Sequence, residues 1–86
     1  GYHFRILTRQ GEHAPGGAYN YVINGRMIAG FAMVAFPAEW DKTGVMSFIV
    51  NHNGKVYQKD LGKNSTAIGA RMTSFDPGPG WKEVAP

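Results

Sequence analysis

Between residues 2 and 8 apolar and polar positions alternate, with Tyr2, Phe4 and Ile6 on one face and His3, Arg5 and Leu7 on the other. A period of two predicts a half-buried strand. Residues 9–18, RQGEHAPGGA, break the pattern with Gly11, Pro15, Gly16 and Gly17, which predicts an exposed loop. Loops of this length often carry function. A strand resumes over residues 19–23, and Asn24-Gly25 is the strongest short hairpin signal in the chain, leading straight into Arg26, Met27 and Ile28. The run 27–36, MIAGFAMVAF, is nearly all apolar and predicts a central strand buried on both faces. Gly30 within it marks a bulge or a close approach by another element, and Pro37 ends the ladder because it has no N–H to donate.

The stretch 44–61, GVMSFIVNHNGKVYQKDL, organises the rest: two apolar-rich runs joined by a turn, a second hairpin. Two registers compete for it. A two-residue Asn53-Gly54 loop would set Val50 against Tyr57. A type I turn opened by Asn51, with Gly54 as a left-handed bulge residue, would set Asn51 against Lys55 and Val50 against Val56. The second is preferred, since Asn at the first turn position and Gly at the fourth both suit it. After Gly62 the period lengthens. Asn64 or Ser65 can cap a helix, Ile68, Met72 and Phe75 fall at i, i+4 and i+7, and residues 76–80, DPGPG, stop it. Trp81 and Val84 are expected to fold back onto the domain. The whole predicts an α+β domain over residues 1–86: an antiparallel meander of about five strands with one C-terminal helix packed on one face.

Composition changes this picture in three ways. At 86 residues the chain forms one small domain near the lower limit for a self-sufficient core, yet 43% of its residues are hydrophobic and 13% aromatic. One helix covers only part of one sheet face. The uncovered face therefore needs a partner, expected to be an N-terminal region of the same precursor or a second copy of the chain. No cysteine is present, so neither a disulfide nor a thiolate metal site can reinforce the fold. The net charge of +3 invites a nucleic-acid reading. Its nine basic residues are scattered, however, and no stretch alternates bases with aromatics, so nucleic-acid binding is set aside. No apolar run is long enough to span a membrane as a helix.

Candidate chemistry is sparse. His3 lies on a strand, His13 in the glycine-rich loop and His52 in the hairpin turn, none with the spacing of a metal-ligand pair. Ser47, Ser65 and Ser74 lack a nucleophile-elbow context. Glu39 with Asp41 or Asp60 is the best carboxylate pair, and surface positions are its ordinary explanation. The glycine-rich loop lacks the Lys-Ser/Thr ending of a phosphate loop. The candidate binding residues are Glu12, His13, His52 and Trp40. No catalytic or metal-ligating residue and no cofactor is assigned. The strand aromatics are read as core in preference to a carbohydrate-stacking platform.

The segments GYHFRILTRQG, APGGAYNYVINGRMIAGFAMVAFPAEW and TGVMSFIVNHNGKVYQKDLG, with the closing FDPGPGW, resemble the bacterial family known as domain of unknown function 2950 across nearly the whole chain. The resemblance implies a secreted or periplasmic protein whose longer precursor begins with a signal peptide and an N-terminal region, a reading in keeping with the first residue, Gly1. It brings no activity and no site residues. A weaker likeness, in Gly1-Tyr2-x-Phe4, Ala35-x-Pro37, Thr43-Gly44-x-x-x-Phe48 and Asn51-x-x-Gly54, is to the sheet of pilin and pseudopilin head domains. This chain departs from that pattern by lacking the long apolar N-terminal helix and by adding a C-terminal one. The expected function is a non-enzymatic extracytoplasmic module that binds another protein or an envelope component. The alternatives are a hydrolase-like enzyme, or a small-ligand or metal-binding domain, with a site completed by an N-terminal region. A cleft near residues 9–18 holding a charged pair and a histidine would favour the enzyme.

Overall fold

The computed structural model describes residues 1–85. In chain order its strands are β1 (Tyr2–Leu7), β2 (Arg9–Gln10), β3 (Tyr19–Asn20), β4 (Val22–Ile23), β5 (Arg26–Met27), β6 (Ala32–Pro37), β7 (Ser47–Asn51) and β8 (Val56–Lys59). A 3-10 turn (Gly62–Asn64) leads into helix α1 (Ser65–Arg71), followed by β9 (Ser74–Phe75) and β10 (Lys82–Glu83). Five strands form the main sheet in the order β1-β6-β7-β8-β10, antiparallel throughout. A second sheet, β3-β2-β9, and the β4-β5 hairpin accompany it. The antiparallel α+β expectation stands, but the simple meander does not. The parallel pairing of β2 with β9 joins segments more than sixty residues apart, and strand patterning carries no signal for such a pairing.

Both hairpins follow their turn chemistry. Asn24 (φ 50°) and Gly25 (φ 77°) form the left-handed pair of a two-residue loop, and Ile23 faces Arg26 across it. In the organising hairpin Val50 faces Val56, the Gly54 N–H donates to the Asn51 carbonyl at 2.9 Å, and Gly54 sits at φ 85°. The bulged register is the one adopted.

Four expectations are corrected. The predicted strand 27–36 is two elements: Met27 closes the β4-β5 hairpin and β6 begins only at Ala32, leaving Phe31 45% exposed. β7, not β6, is the middle strand of the sheet. The predicted helix loses its last turn, because Met72 turns extended and Phe75 enters β9. Nor does α1 pack through the predicted stripe. Its buried residues are Ser65 and Gly69, and a Cβ on Gly69 would lie 2.2 Å from Phe36 Cγ. Backbone, not a side chain, meets the sheet there. At the helix start Asn64 makes no side-chain capping bond, while the Ser65 hydroxyl donates to the Gly62 carbonyl.

The core lies between one face of the main sheet and a layer made by α1 and the small sheet: Leu7, Ala14, Tyr21, Ala32, Val34, Phe36, Ile49 and Phe75 are buried. On β1 the inward face is the mixed one. Leu7 is buried, and Arg5 Nη1 donates to the Gly69 and Met72 carbonyls at 3.2 and 2.7 Å. A guanidinium thus adds to the Met72 N–H on the Gly69 carbonyl and bonds the Met72 carbonyl, at the end where the helix dipole is negative. The apolar face of β1 points the other way, with Phe4 66% and Ile6 52% exposed. Pairing registers place Tyr2, Phe4, Ile6, Met33, Ala35, Phe48, Val50 and Val56 together on that face. Helix α1 and Phe75 lie on the other side of the sheet, so this face is open.

Candidate functional site

The glycine-rich loop is more ordered than its composition suggests. It opens with β2, whose Gln10 is only 2% exposed. Gln10 Nε2 donates to the Pro15 and Gly17 carbonyls at 2.9 and 2.7 Å, while its Oε1 accepts from the Tyr21 hydroxyl at 2.9 Å and from Asn51 Nδ2 at 3.3 Å. Every donor and acceptor of the amide is used, as burial of a polar group requires. The loop wraps around this side chain, and Ala14 plugs into the core. Burial raises the pKa of Tyr21 above the usual phenol value, with the nearby Asn51 amide opposing and Tyr19 reinforcing the shift. The phenol remains a neutral donor to Gln10.

At the loop's outer edge Asp76 Oδ1 accepts from the His13 backbone N–H at 2.9 Å and faces His13 Nδ1 at 3.0 Å. Glu12 Oε1 is 4.0 Å from Nε2 of the same ring. Two glycines make room: a Cβ on Gly11 would lie 2.3 Å from Asp76 Cγ, and one on Gly78 2.9 Å from His13 Nδ1. A carboxylate on Nδ1 orients an imidazole as in acid–base pairs and leaves Nε2 to exchange a proton. Among the described residues no hydroxyl bonds either ring nitrogen. An open depression of about 400 Å³ is lined by Arg9, Gln10, Gly11, Ala18, Tyr19, Asn20 and Ser74, and neither His13 nor Asp76 lines it.

The remaining candidates occupy separate places. The His52 ring stands over Gly30, where a Cβ would lie 2.7 Å from Cε1, which is the close approach expected of that glycine. Phe31 N–H donates to His52 Nδ1 at 3.4 Å, and Nε2 lies 3.3 Å from the Tyr19 hydroxyl. One neutral tautomer, protonated at Nε2, satisfies both contacts. Trp40 Nε1–H donates to Asp60 Oδ1 at 2.8 Å, and the same oxygen accepts the Gly62 N–H at 2.8 Å. Trp40 therefore pins the β6–β7 connector to the 3-10 turn. Glu39 pairs with Lys42 at 3.7 Å. Ser47 is fully buried with its Oγ unbonded, out of reach of any substrate. Among the described residues no three His, Asp or Glu side chains gather as a metal set, and no helix is long and apolar enough to cross a membrane.

Sequence patterning missed Gln10 and Asp76, and it placed Tyr21 in the core without its hydrogen bond to Gln10. Asp76 reads as part of a helix stop, and only the β2–β9 pairing carries it to His13. The open sheet face, by contrast, was legible as surplus apolar sequence.

No curated protein and no solved structure matched the chain, and the likeness to pilin heads gains no support. A family model described as protein of unknown function (DUF2950) matches residues 1–84, nearly the full chain. With the match spanning both hairpins, the helix and the last strand, the chain belongs to the DUF2950 family.

Proposed function

We propose that this chain is a non-enzymatic interaction module of the bacterial envelope or its exterior, working through the open face of the main sheet. The observation that carries the reading is the exposure of Phe4 (66%) and Ile6 (52%) beside half-buried Met33, Phe48 and Val50 on a face that the helix does not cover. Contiguous apolar surface of this kind marks interaction sites. A glycan platform fits it less well. Tyr2 commits its hydroxyl to the Met46 carbonyl at 2.8 Å, and Gln58 and Lys82 at the far side are the polar side chains on that face, whereas sugar recognition needs convergent donors and acceptors. The extracytoplasmic setting rests on the family resemblance. The test is capture from a bacterial envelope extract on the immobilised chain, with Phe4→Thr/Ile6→Thr alongside. A protein retained by the parent and lost by the variant supports the reading, and equal retention by both overturns it.

A second reading, a hydrolase-like activity, is favoured by the His13–Asp76 pair at the outer edge of the glycine-rich loop. In it Asp76 orients His13, and Nε2 takes a proton from water. Turnover of chromogenic ester or phosphoester substrates that is abolished in both His13→Ala and Asp76→Asn would support it. Absence of turnover across the panel would sink it.

A further inference from the structure

The open face meets a free edge along β1. Ala38 N–H donates to the Gly1 carbonyl at 3.0 Å. In an antiparallel ladder that bond places Gly1, His3, Arg5 and Leu7 in the pairs that exchange bonds with β6, through the register in which His3 faces Phe36 and Arg5 faces Val34. The N–H and C=O groups of Tyr2, Phe4 and Ile6 then point away from the sheet. The edge stops at Thr8, whose N–H donates to the Thr73 carbonyl and whose C=O accepts from Tyr21 N–H. What remains open is a short ladder centred on Phe4. β1 carries no lysine, proline or bulge, and its one charged side chain, Arg5, is held inward by the carbonyls of Gly69 and Met72.

From this we infer that β1 pairs antiparallel with β1 of a second copy of the chain, across a two-fold axis at Phe4, making one continuous sheet. The inference rests on the interaction reading above and names the partner. In this register Phe4 faces Phe4 of the other copy and Tyr2 faces its Ile6, so every outward backbone group of the edge is used in three pairs, each exchanging two bonds. Shifting the register by two residues in either direction loses one pair. The side chains match as well: an aromatic pair sits on the axis, flanked on each side by an aromatic against a β-branched residue, and these are favourable cross-strand combinations. On the helix face His3 meets Arg5 of the other copy, with Arg5 held by the carbonyls of its own α1. No carboxylate is buried. The contact joins the open faces of the two copies side by side. A contact through one edge strand of each copy is smaller than the roughly 1,600 Å² of a standard interface and falls with the weak, transient associations.

The test is sedimentation of the 86-residue chain across micromolar concentrations, together with single-cysteine cross-linking, for which the cysteine-free sequence is a clean background. The expected result is a concentration-dependent dimer, weakened at least tenfold by Phe4→Lys, which opposes two like charges on the axis, and retained by Val50→Lys, which sits mid-face. Mild oxidation should couple Phe4→Cys chains, because the two Cα atoms would be about 5.5 Å apart, within disulfide reach. Ile6→Cys chains should not couple, being offset by four residues on each strand. Coupling of Ile6→Cys but not Phe4→Cys, or dimers abolished only by Val50→Lys, would overturn the edge register in favour of face-to-face stacking. Monomers at every concentration, with Phe4-dependent capture of a different protein, would overturn the second copy and leave the interaction module standing.

Discussion

Single residues in this chain matter according to where their backbone and side chain are held, and three positions show the range. Gly54 has φ 85° and open space around its Cα. Gly54→Val meets no clash, so its cost is backbone strain alone, about 1–3 kcal/mol for a β-branched residue held at positive φ. Chemical denaturation should show that loss with an unchanged dependence on denaturant. Phe31 and Phe75 form the contrasting pair. Phe75 is 1% exposed and packs edge-on to Tyr57 at 6.0 Å between centroids, so Phe75→Ala should cost about 3–5 kcal/mol. Phe31 would cost the same if its run were a strand buried on both faces. At 45% exposed, Phe31→Ala should cost only about 1 kcal/mol. Equal losses for the two would contradict the separation of covered and open faces.

Among the elements, α1 is the least like its sequence. Gly69 is a poor residue for a helix interior, disfavoured against alanine by about 1 kcal/mol. It is tolerated because the helix backbone rests directly on the Phe36 ring. Gly69→Ala should therefore destabilise the domain by about 1–3 kcal/mol, against its helix propensity, because the ring has to move. Pairing it with Phe36→Leu should recover part of the loss, and equilibrium unfolding of the two single variants and the double variant checks this. A stabilised Gly69→Ala would mean that the helix rides higher than it does here. The sequence stripe Ile68, Met72, Phe75 is a case of helical spacing continuing past the helix end. Its last member does bury, but from a strand.

For the whole molecule, the buried polar network decides how stability follows pH at the alkaline end. Tyr21 in the folded chain has a pKa above the value of about 10 that its exposed phenol has when unfolded. Between those two values the folded state holds the proton more tightly than the unfolded state. The stability this contributes is complete below pH 10 and is lost as pH rises through the folded value. Denaturation midpoints should fall above pH 10, and Tyr21→Phe should be less stable at pH 7 but show a shallower alkaline decline. An identical slope in both proteins would place the titrating group elsewhere.

Local chemistry alone determined much of this protein. Asn24-Gly25 and Asn51 to Gly54 specify their turns through φ preferences confined to a few residues, and a turn sets the register of the strands it joins. Surplus apolar sequence in a short chain likewise implied an uncovered face, since the sum of apolar surface does not depend on how it is arranged. Tertiary structure decided which face that would be. Alternation on β1 separates Tyr2, Phe4 and Ile6 from His3, Arg5 and Leu7, but the carbonyls at the end of α1 drew Arg5 inward and left the apolar residues outside. It also decided the candidate site. His13 meets Asp76, and Gln10 meets Tyr21 and Asn51, only because β2 pairs with β3 and β9. Two-residue strands carry no period to read, and their partners lie anywhere along the chain until the core closes.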